Sequence, residues 1–292
     1  MNTVKKALSI LLILILTFVC IYETKAQHKR KVTFLEGYDD APYHFGFLIG
    51  VNFMDFNYGL KNGYQDIPLD GSLLPQASDL NELGNFSDSE LAYYQINKVE
   101  GSKLIKNPGF SVGVIGDLRL GRYFNLRFSP TLSLSWRRVY YDLVLYNSAG
   151  AVLPISYPDG TVSEVRHVVS KDNLATYLEF PLHIKYRSKR YNNIGAYLLT
   201  GVNPKLYLIS RHNIENTTGQ PQHLFPKRGD VALEFGAGYD IYNQWFKMGV
   251  ELKMSFGLLN LLVDEPLMSN FLWEAPFESL KSKQLQLSFT FE

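Results

Sequence analysis

Residues 124–136 read Phe124-Asn125-Leu126-Arg127-Phe128-Ser129-Pro130-Thr131-Leu132-Ser133-Leu134-Ser135-Trp136. Phe124, Leu126, Phe128, Leu132, Leu134 and Trp136 share one parity. Asn125, Arg127, Ser129, Thr131, Ser133 and Ser135 share the other. Successive side chains of an extended chain point to opposite faces, so the stretch predicts a strand with one apolar and one polar face. Pro130 has no N–H to give a ladder and predicts a local bulge or edge-like site.

The same alternation recurs along the chain. Tyr43, Phe45, Phe47, Ile49, Val51 and Phe53 alternate with His44, Gly46, Gly50 and Asn52, with Leu48 the exception. Leu178, Phe180, Leu182, Ile184 and Tyr186 oppose Glu179, His183 and Lys185. Phe246, Met248, Val250, Leu252, Met254 and Phe256 oppose Lys247, Gly249, Glu251, Lys253 and Ser255. Leu285, Leu287, Phe289 and Phe291 oppose Gln284, Gln286, Ser288 and Thr290. Weaker versions cover 109–120, 193–207 and 229–242. That makes eight strands of about 10–14 residues. Strands of soluble proteins average about 5–6 residues, whereas a tilted membrane strand needs about 9–11.

The connections alternate in length. About 55 residues separate the first two strands, and then Gly121-Arg122 makes a short turn. About 36 residues follow, then a turn at 188–192, about 21 residues, the turn Asn243-Gln244, and a last connection of about 25. Short turns on one side and long loops on the other, with an even strand number, mark an outer-membrane barrel. The expected fold is therefore all-β: an eight-stranded antiparallel up-and-down transmembrane β-barrel of outer-membrane type with long external loops. The soluble alternative is a lipocalin-like barrel, whose apolar face would point inward.

Composition agrees. Charged residues make up 20% of the 292, below the roughly 25% of a soluble domain, and aromatics make up 14%. A mean hydropathy near zero excludes a multi-helix membrane protein and leaves a barrel open, because its two faces average out. Tyr123, Tyr186, Tyr191, Tyr242 and Trp245 cluster at the short turns, while Trp136, Tyr140 and Tyr141 cluster at the far end of the third strand. They are read as two interfacial girdles, or else as core packing.

Residues 1–26 read as a secretory signal peptide, with Lys5 and Lys6 ahead of an apolar run from Ala7 to Tyr22. Thr24-Lys25-Ala26 makes Gln27 the expected mature start; an uncleaved anchor is the alternative. Cleavage would remove Lys5, Lys6, Lys25 and Glu23 and take the net charge from +1 to −1. It would also remove Cys20, the one cysteine, so no thiol chemistry is expected. The expected domains are this peptide, a periplasmic segment over 27–42, and a barrel over 43–292.

On this register the lumen carries Asp117, Arg119, Arg127, Glu179, Lys185, Glu234, Asp240, Glu251 and Lys253. Eight strands leave room only for side chains, and charges buried there must pair. Arg127, Glu179, Lys185, Glu251 and Lys253 are read as a lumen charge network. Arg127 would pair with Glu179, and Lys185 or Lys253 with Glu251. A plugged interior is expected over an open pore.

No catalytic constellation stands out. There is no Gly-x-Ser-x-Gly elbow; His44 and His183 read as isolated lumen residues, and His167, His212 and His223 as loop residues. Gly236-Ala237-Gly238 lies inside a strand and predicts close packing, not a phosphate loop. Asn216-Thr217-Thr218 matches a glycosylation triplet of low specificity. No cofactor, metal, small-molecule substrate or nucleic acid is expected; the balanced charge argues against the last. The first long loop, 55–108, carries a candidate short helix near 87–97. The last connection includes Leu262, Met268, Phe271 and Trp273, too apolar for a free loop. It is read either as folding over the barrel rim or as contacting a partner protein.

Several stretches carry a family resemblance. Gly37-Tyr38-Asp39-Asp40-Ala41-Pro42-Tyr43-His44-Phe45-Gly46-Phe47, with Gly50-Val51-Asn52 and Met54-Asp55-Phe56, resembles the PorT proteins of Bacteroidota. So do Tyr177-Leu178-Glu179-Phe180-Pro181-Leu182-His183-Ile184-Lys185-Tyr186 with Ser188, Arg190 and Asn193, and Phe246-Lys247 through Glu251-Leu252-Lys253 to Asn260-Leu261-Leu262. The ending from Glu278 to Glu292 is similar as well. The Leu-Glu-x-Pro-Leu element alone occurs across many outer-membrane barrels; the two terminal stretches together are more specific. The resemblance implies an outer-membrane component of type IX protein secretion, and in some members gliding motility. Its implied partners are outer-membrane lipid and other secretion proteins, and it implies no catalytic residues. The alternatives are a generic outer-membrane receptor or small-solute pore, and an outer-membrane hydrolase with a site in its loops.

Overall fold

The computed structural model describes residues 33–70, 91–101, 108–137, 139–156, 162–169, 173–208, 226–262 and 276–292. The signal-peptide reading, the mature start at Gln27, the triplet at Asn216, and His212 and His223 lie outside the described residues.

Eight wall positions form a closed antiparallel ring. They are β1 (Tyr43–Leu60), β4 (Pro108–Arg119), β5 (Phe124–Phe128) with β6 (Thr131–Arg137), β11 (Asn173–Glu179) with β12 (Leu182–Arg187), β13 (Ile194–Tyr207), β14 (Gly229–Tyr242), β15 (Lys247–Gly257) and β16 (Phe277–Phe291). β1 pairs with β4 on one side and β16 on the other, which closes the ring. Closure leaves no open sheet edge, as a lipid environment demands of β-structure.

Two wall positions break at proline, the third at Pro130 and the fourth at Pro181. The ladder bridges both breaks and the neighbouring Pro204 through the prolyl carbonyls. Pro130 O accepts from Val114 N at 3.1 Å, Pro181 O from Ser129 N at 3.2 Å, and Pro204 O from Phe180 N at 2.9 Å. The strand is interrupted at Pro130 as expected, but without a bulge: β4 keeps one register from Gly116–Phe128 to Gly113–Thr131, so Arg127, Ser129, Thr131 and Ser133 all stay buried.

The faces are inverted relative to a soluble barrel. Phe45, Phe47 and Val51 are 73%, 51% and 42% exposed, while Asn52, Glu179, Lys185 and Glu234 are 0% exposed. Keeping a large apolar side chain in water forgoes about 1.5–3 kcal/mol of burial, and dozens of such positions line this wall. Lipid is the solvent that suits it, and the lipocalin-like alternative falls.

The long connections are more ordered than expected. β2 (Leu69–Asp70), β3 (Leu91–Gly101), β7 (Val139–Asn147) and β10 (Arg166–Val169) form a second sheet in the order β10-β7-β3-β2. A hairpin of β8 (Ile155–Ser156) and β9 (Val162–Ser163) completes the elements. The helix expected near 87–97 is not present over 91–97, because that stretch pairs with β7 as a strand. Pairing in the tertiary structure overrides local helix preference. This sheet caps the long-loop end with its own apolar core: Phe56, Ile96, Val99, Val139, Tyr141, Leu143 and Leu145, with Leu261, Phe277 and Leu280.

Two girdle assignments change as a result. Tyr141 is wholly buried in the cap core and Tyr242 is 3% exposed on the inner face. Tyr123, Tyr186, Tyr191 and Trp245 are exposed at the short-turn end as a girdle requires.

Candidate functional site

The lumen is filled by two polar clusters, one above the other. At the short-turn end, Arg127 lies directly across from Asp117 in the β4–β5 ladder. Its Nε and Nη2 donate to Asp117 Oδ2 at 3.1 and 2.9 Å. Nη1 donates to Glu251 Oε2 at 3.3 Å and Nη2 to Glu292 Oε1 at 2.6 Å. Glu292 also holds Lys247 at 2.6 Å. Lys185 pairs with Asp240 at 2.8 Å and sits 3.8 Å over the Tyr197 ring. The Tyr197 hydroxyl donates to Glu251 at 3.0 Å. Gly238 makes room for that ring: a Cβ there would lie 2.5 Å from it. The close packing expected of Gly236-Ala237-Gly238 is therefore made by Gly238 against Tyr197 and by Gly236 against Leu199.

In the second cluster Glu234 accepts from His183 at 2.7 Å and Asn203 at 2.7 Å, and pairs with Lys253 at 3.1 Å. Asn203 also donates to Glu179 at 2.8 Å, and Lys205 donates to Gln284 at 2.6 Å. His183 is thus bound into the lumen, not isolated. So is His44, whose Nε2 lies 2.8 Å from the Tyr38 carbonyl.

All five network residues read from the sequence are buried in the lumen, but their partners differ. Arg127 takes Asp117, Glu251 and Glu292, and Glu179 meets Asn203 and Lys205. Lys185 takes Asp240, and Lys253 takes Glu234. Parity assigns a face without assigning a height along the barrel. His183 lies opposite Arg127 while Glu179 lies opposite Thr131, four residues further along. That is roughly 13 Å at 3.3 Å per residue, too far for a pair. Glu292 and Lys247 were missed as lumen residues. The signal for Glu292 was the inward parity of Ser288 and Thr290.

The short-turn mouth is closed by the chain's own amino-terminal segment. Gly37, with φ of 77°, lets the backbone turn into a 3-10 turn over Tyr38–Asp40. Asp39 accepts from Arg187 Nη1 at 2.5 Å and from the Tyr242 hydroxyl at 2.9 Å. Asp40 accepts from Arg119 at 3.0 Å, which puts Arg119 at the mouth and not deep in the lumen. Tyr38 stacks on His44 with centroids 4.3 Å apart, and burial pushes its phenol up to about 12. Arg190 holds the carbonyls of Phe34 and Leu35.

At the other end Leu262 packs half-buried against the cap core beside the buried Leu261. Met268, Phe271 and Trp273 lie outside the described residues. Among the described residues no three His, Cys, Asp or Glu side chains converge as a metal site.

A closed eight-position barrel that is apolar outside, ionic inside and short-turned at one end defines an integral outer-membrane β-barrel protein. The chain belongs to the outer membrane protein beta-barrel domain family, whose family model matches residues 26–263. No curated protein matches it. Among solved structures, Ail, the attachment invasion locus protein of Yersinia pestis, was crystallised with the heparin analogue sucrose octasulfate. It aligns over 86% of this chain and 99% of its own at 10% identity and a TM-score of 0.33. OprG from Pseudomonas aeruginosa aligns over 84% and 94% at 10% identity and 0.30. LpxR from Salmonella typhimurium aligns over 84% and 99% at 8% identity and 0.27. The fold assignment rests on the chain's own strand pairing and on the family match.

Proposed function

We infer that this barrel is a non-enzymatic accessory or assembly component of type IX protein secretion, exported by the signal peptide over 1–26 and acting as a scaffold. The observation that carries the reading is where the PorT-like residues lie. At the periplasmic mouth the PorT-like Asp39 is held by Arg187, the PorT-like Arg190 holds the Phe34 carbonyl, and the PorT-like Tyr38 stacks on His44. A shared sequence feature that builds a closed, rigid rim suits a protein presenting surfaces to other secretion components. The lumen supports scaffolding over transport, because ion-paired side chains occupy it.

A clean deletion is expected to stop export of type IX cargo. Normal export from the deletion strain would overturn the pathway, leaving the outer-membrane assignment untouched. The receptor reading has one observation in its favour, the ordered cap sheet on the external side. A strain that exports cargo normally but loses uptake or adhesion would favour it. Steady large conductance by the purified barrel in planar bilayers would instead favour the pore.

A further inference from the structure

Two depressions meet at the short-turn end of the barrel. The first, about 340 Å³, lies on the rim and is lined by Arg119, Arg122, Arg187, Lys189 and Arg190 around Asp39 and Asp40. Three of these cations are committed. Arg119 holds Asp40, Arg187 holds Asp39, and Arg190 holds two carbonyls with its guanidinium 3.8 Å over the Tyr242 ring. Arg122 and Lys189 are exposed and have no carboxylate partner among the described residues.

The second depression, about 540 Å³, lies on the lipid-facing wall. Tyr186, Leu198, Ala237, Leu252 and Leu287 stand in one register row across five strands, and Ala237 is the small residue among large ones. In the next row Ala196 stands beside Tyr239 and Val250. The two alanines leave an apolar cleft between taller walls. Ser188 and Ala196 line both depressions, so the cleft opens onto the basic rim.

We propose that this composite site binds one anionic glycerophospholipid of the inner leaflet, its phosphate held by Arg122 and Lys189 and an acyl chain laid in the cleft over Ala196 and Ala237. Position selects the occupant. Short turns face the periplasm, so the rim sits at the headgroup level of the inner leaflet, where Tyr123 and Tyr186 mark the interface. Charge selects it again: Arg122, which packs over the Tyr123 ring at 5.4 Å, and Lys189, both without a carboxylate among the described residues, lie beside an apolar slot and match a phosphate joined to hydrocarbon. Free phosphate would have no use for the cleft, and an apolar transmembrane segment would have none for the cations.

The test uses the purified full-length mature barrel, stripped with detergent and titrated with dioleoylphosphatidylglycerol under native mass spectrometry. One lipid is expected to bind well above the level of dioleoylglycerol, which lacks the phosphate. Ala237→Leu, which fills the cleft from the lipid side, and the double variant Arg122→Gln/Lys189→Gln are each expected to weaken binding about tenfold. Val114→Ala, on the distant β4 wall, is expected to leave it unchanged. Boiling-dependent gel mobility checks that every variant is folded. Equal binding by wild type and Ala237→Leu overturns the proposal, as does equal binding of dioleoylglycerol. Displacement of the lipid by inorganic phosphate alone would make the rim a free-anion site and overturn it too. So would a disulfide-linked dimer of Ala237→Cys in membranes, which would assign the cleft to a second copy.

Discussion

The barrel lumen and the external cap are both cores, made by the same strands from opposite chemistry. On the inner face of β1, Asn52 gives way to Met54 and then Phe56. On β16 the same change runs from Leu280 to Ser282, Gln284, Gln286 and Ser288. The outer face changes the other way, from Phe53 opposite Leu285 to Asp55 opposite Lys283 and Asn57 opposite Lys281. Both faces exchange character within one or two residues. The outer membrane surface therefore crosses this part of the wall near the Phe53–Leu285 and Asp55–Lys283 pairs. Below that line lipid covers the apolar face and ion pairs fill the inside; above it water covers the outside and hydrocarbon fills the inside.

The largest effect is expected where the ionic core has one hub. Arg127→Ala leaves Asp117, Glu251 and Glu292 facing one another without the guanidinium, at a cost of about 3–5 kcal/mol. Urea titration followed by gel mobility should show the loss; an unchanged midpoint would mean that water, not Arg127, holds those carboxylates. The cap should fail differently. Leu143→Ala removes a wholly buried side chain from the apolar core, for about 2–5 kcal/mol. Limited proteolysis should cut the cap while the barrel keeps its heat-dependent mobility, and loss of both together would show that the two cores fold as one.

The boundary between them can be probed from outside. Ile49→Arg, deep on the lipid face opposite Phe289, should cost about 2–4 kcal/mol, whereas Asn57→Arg, four pairs further out on the same face, should cost almost nothing. Similar losses at both positions in a vesicle-refolding assay would move the line. The smallest effect is expected at the mouth. Tyr242→Phe deletes one hydroxyl bond to Asp39, about 1 kcal/mol, and should appear as faster amide exchange at Asp40 and Ala41 with no change in global stability.

The wall was legible in the sequence because each strand carries its own record of two solvents, apolar on one parity and polar on the other. The cap was not. Val139, Tyr141, Leu143 and Leu145 do alternate, but Tyr140, Val144 and Tyr146 fill the other parity with apolar residues, so no polar face declares a strand. β3 was misread for a related reason: its pairing partners on β7 lie far along the chain, from Gly101 opposite Val139 to Leu91 opposite Asn147, and local pattern does not report such a pairing. In the lumen, parity found the charged residues, but strand offset decided which of them meet.

Glu292 sits between Arg127 and Lys247, carried there by the strand that closes the ring. Until that strand docks, two cations already placed on earlier strands lack a shared counter-charge. Sealing the hydrogen-bond ring and completing the ion-pair network are thus one event in assembly, and a barrel that stalls with its seam open would leave Lys247 without the Glu292 carboxylate while Arg127 still holds Asp117 and Glu251.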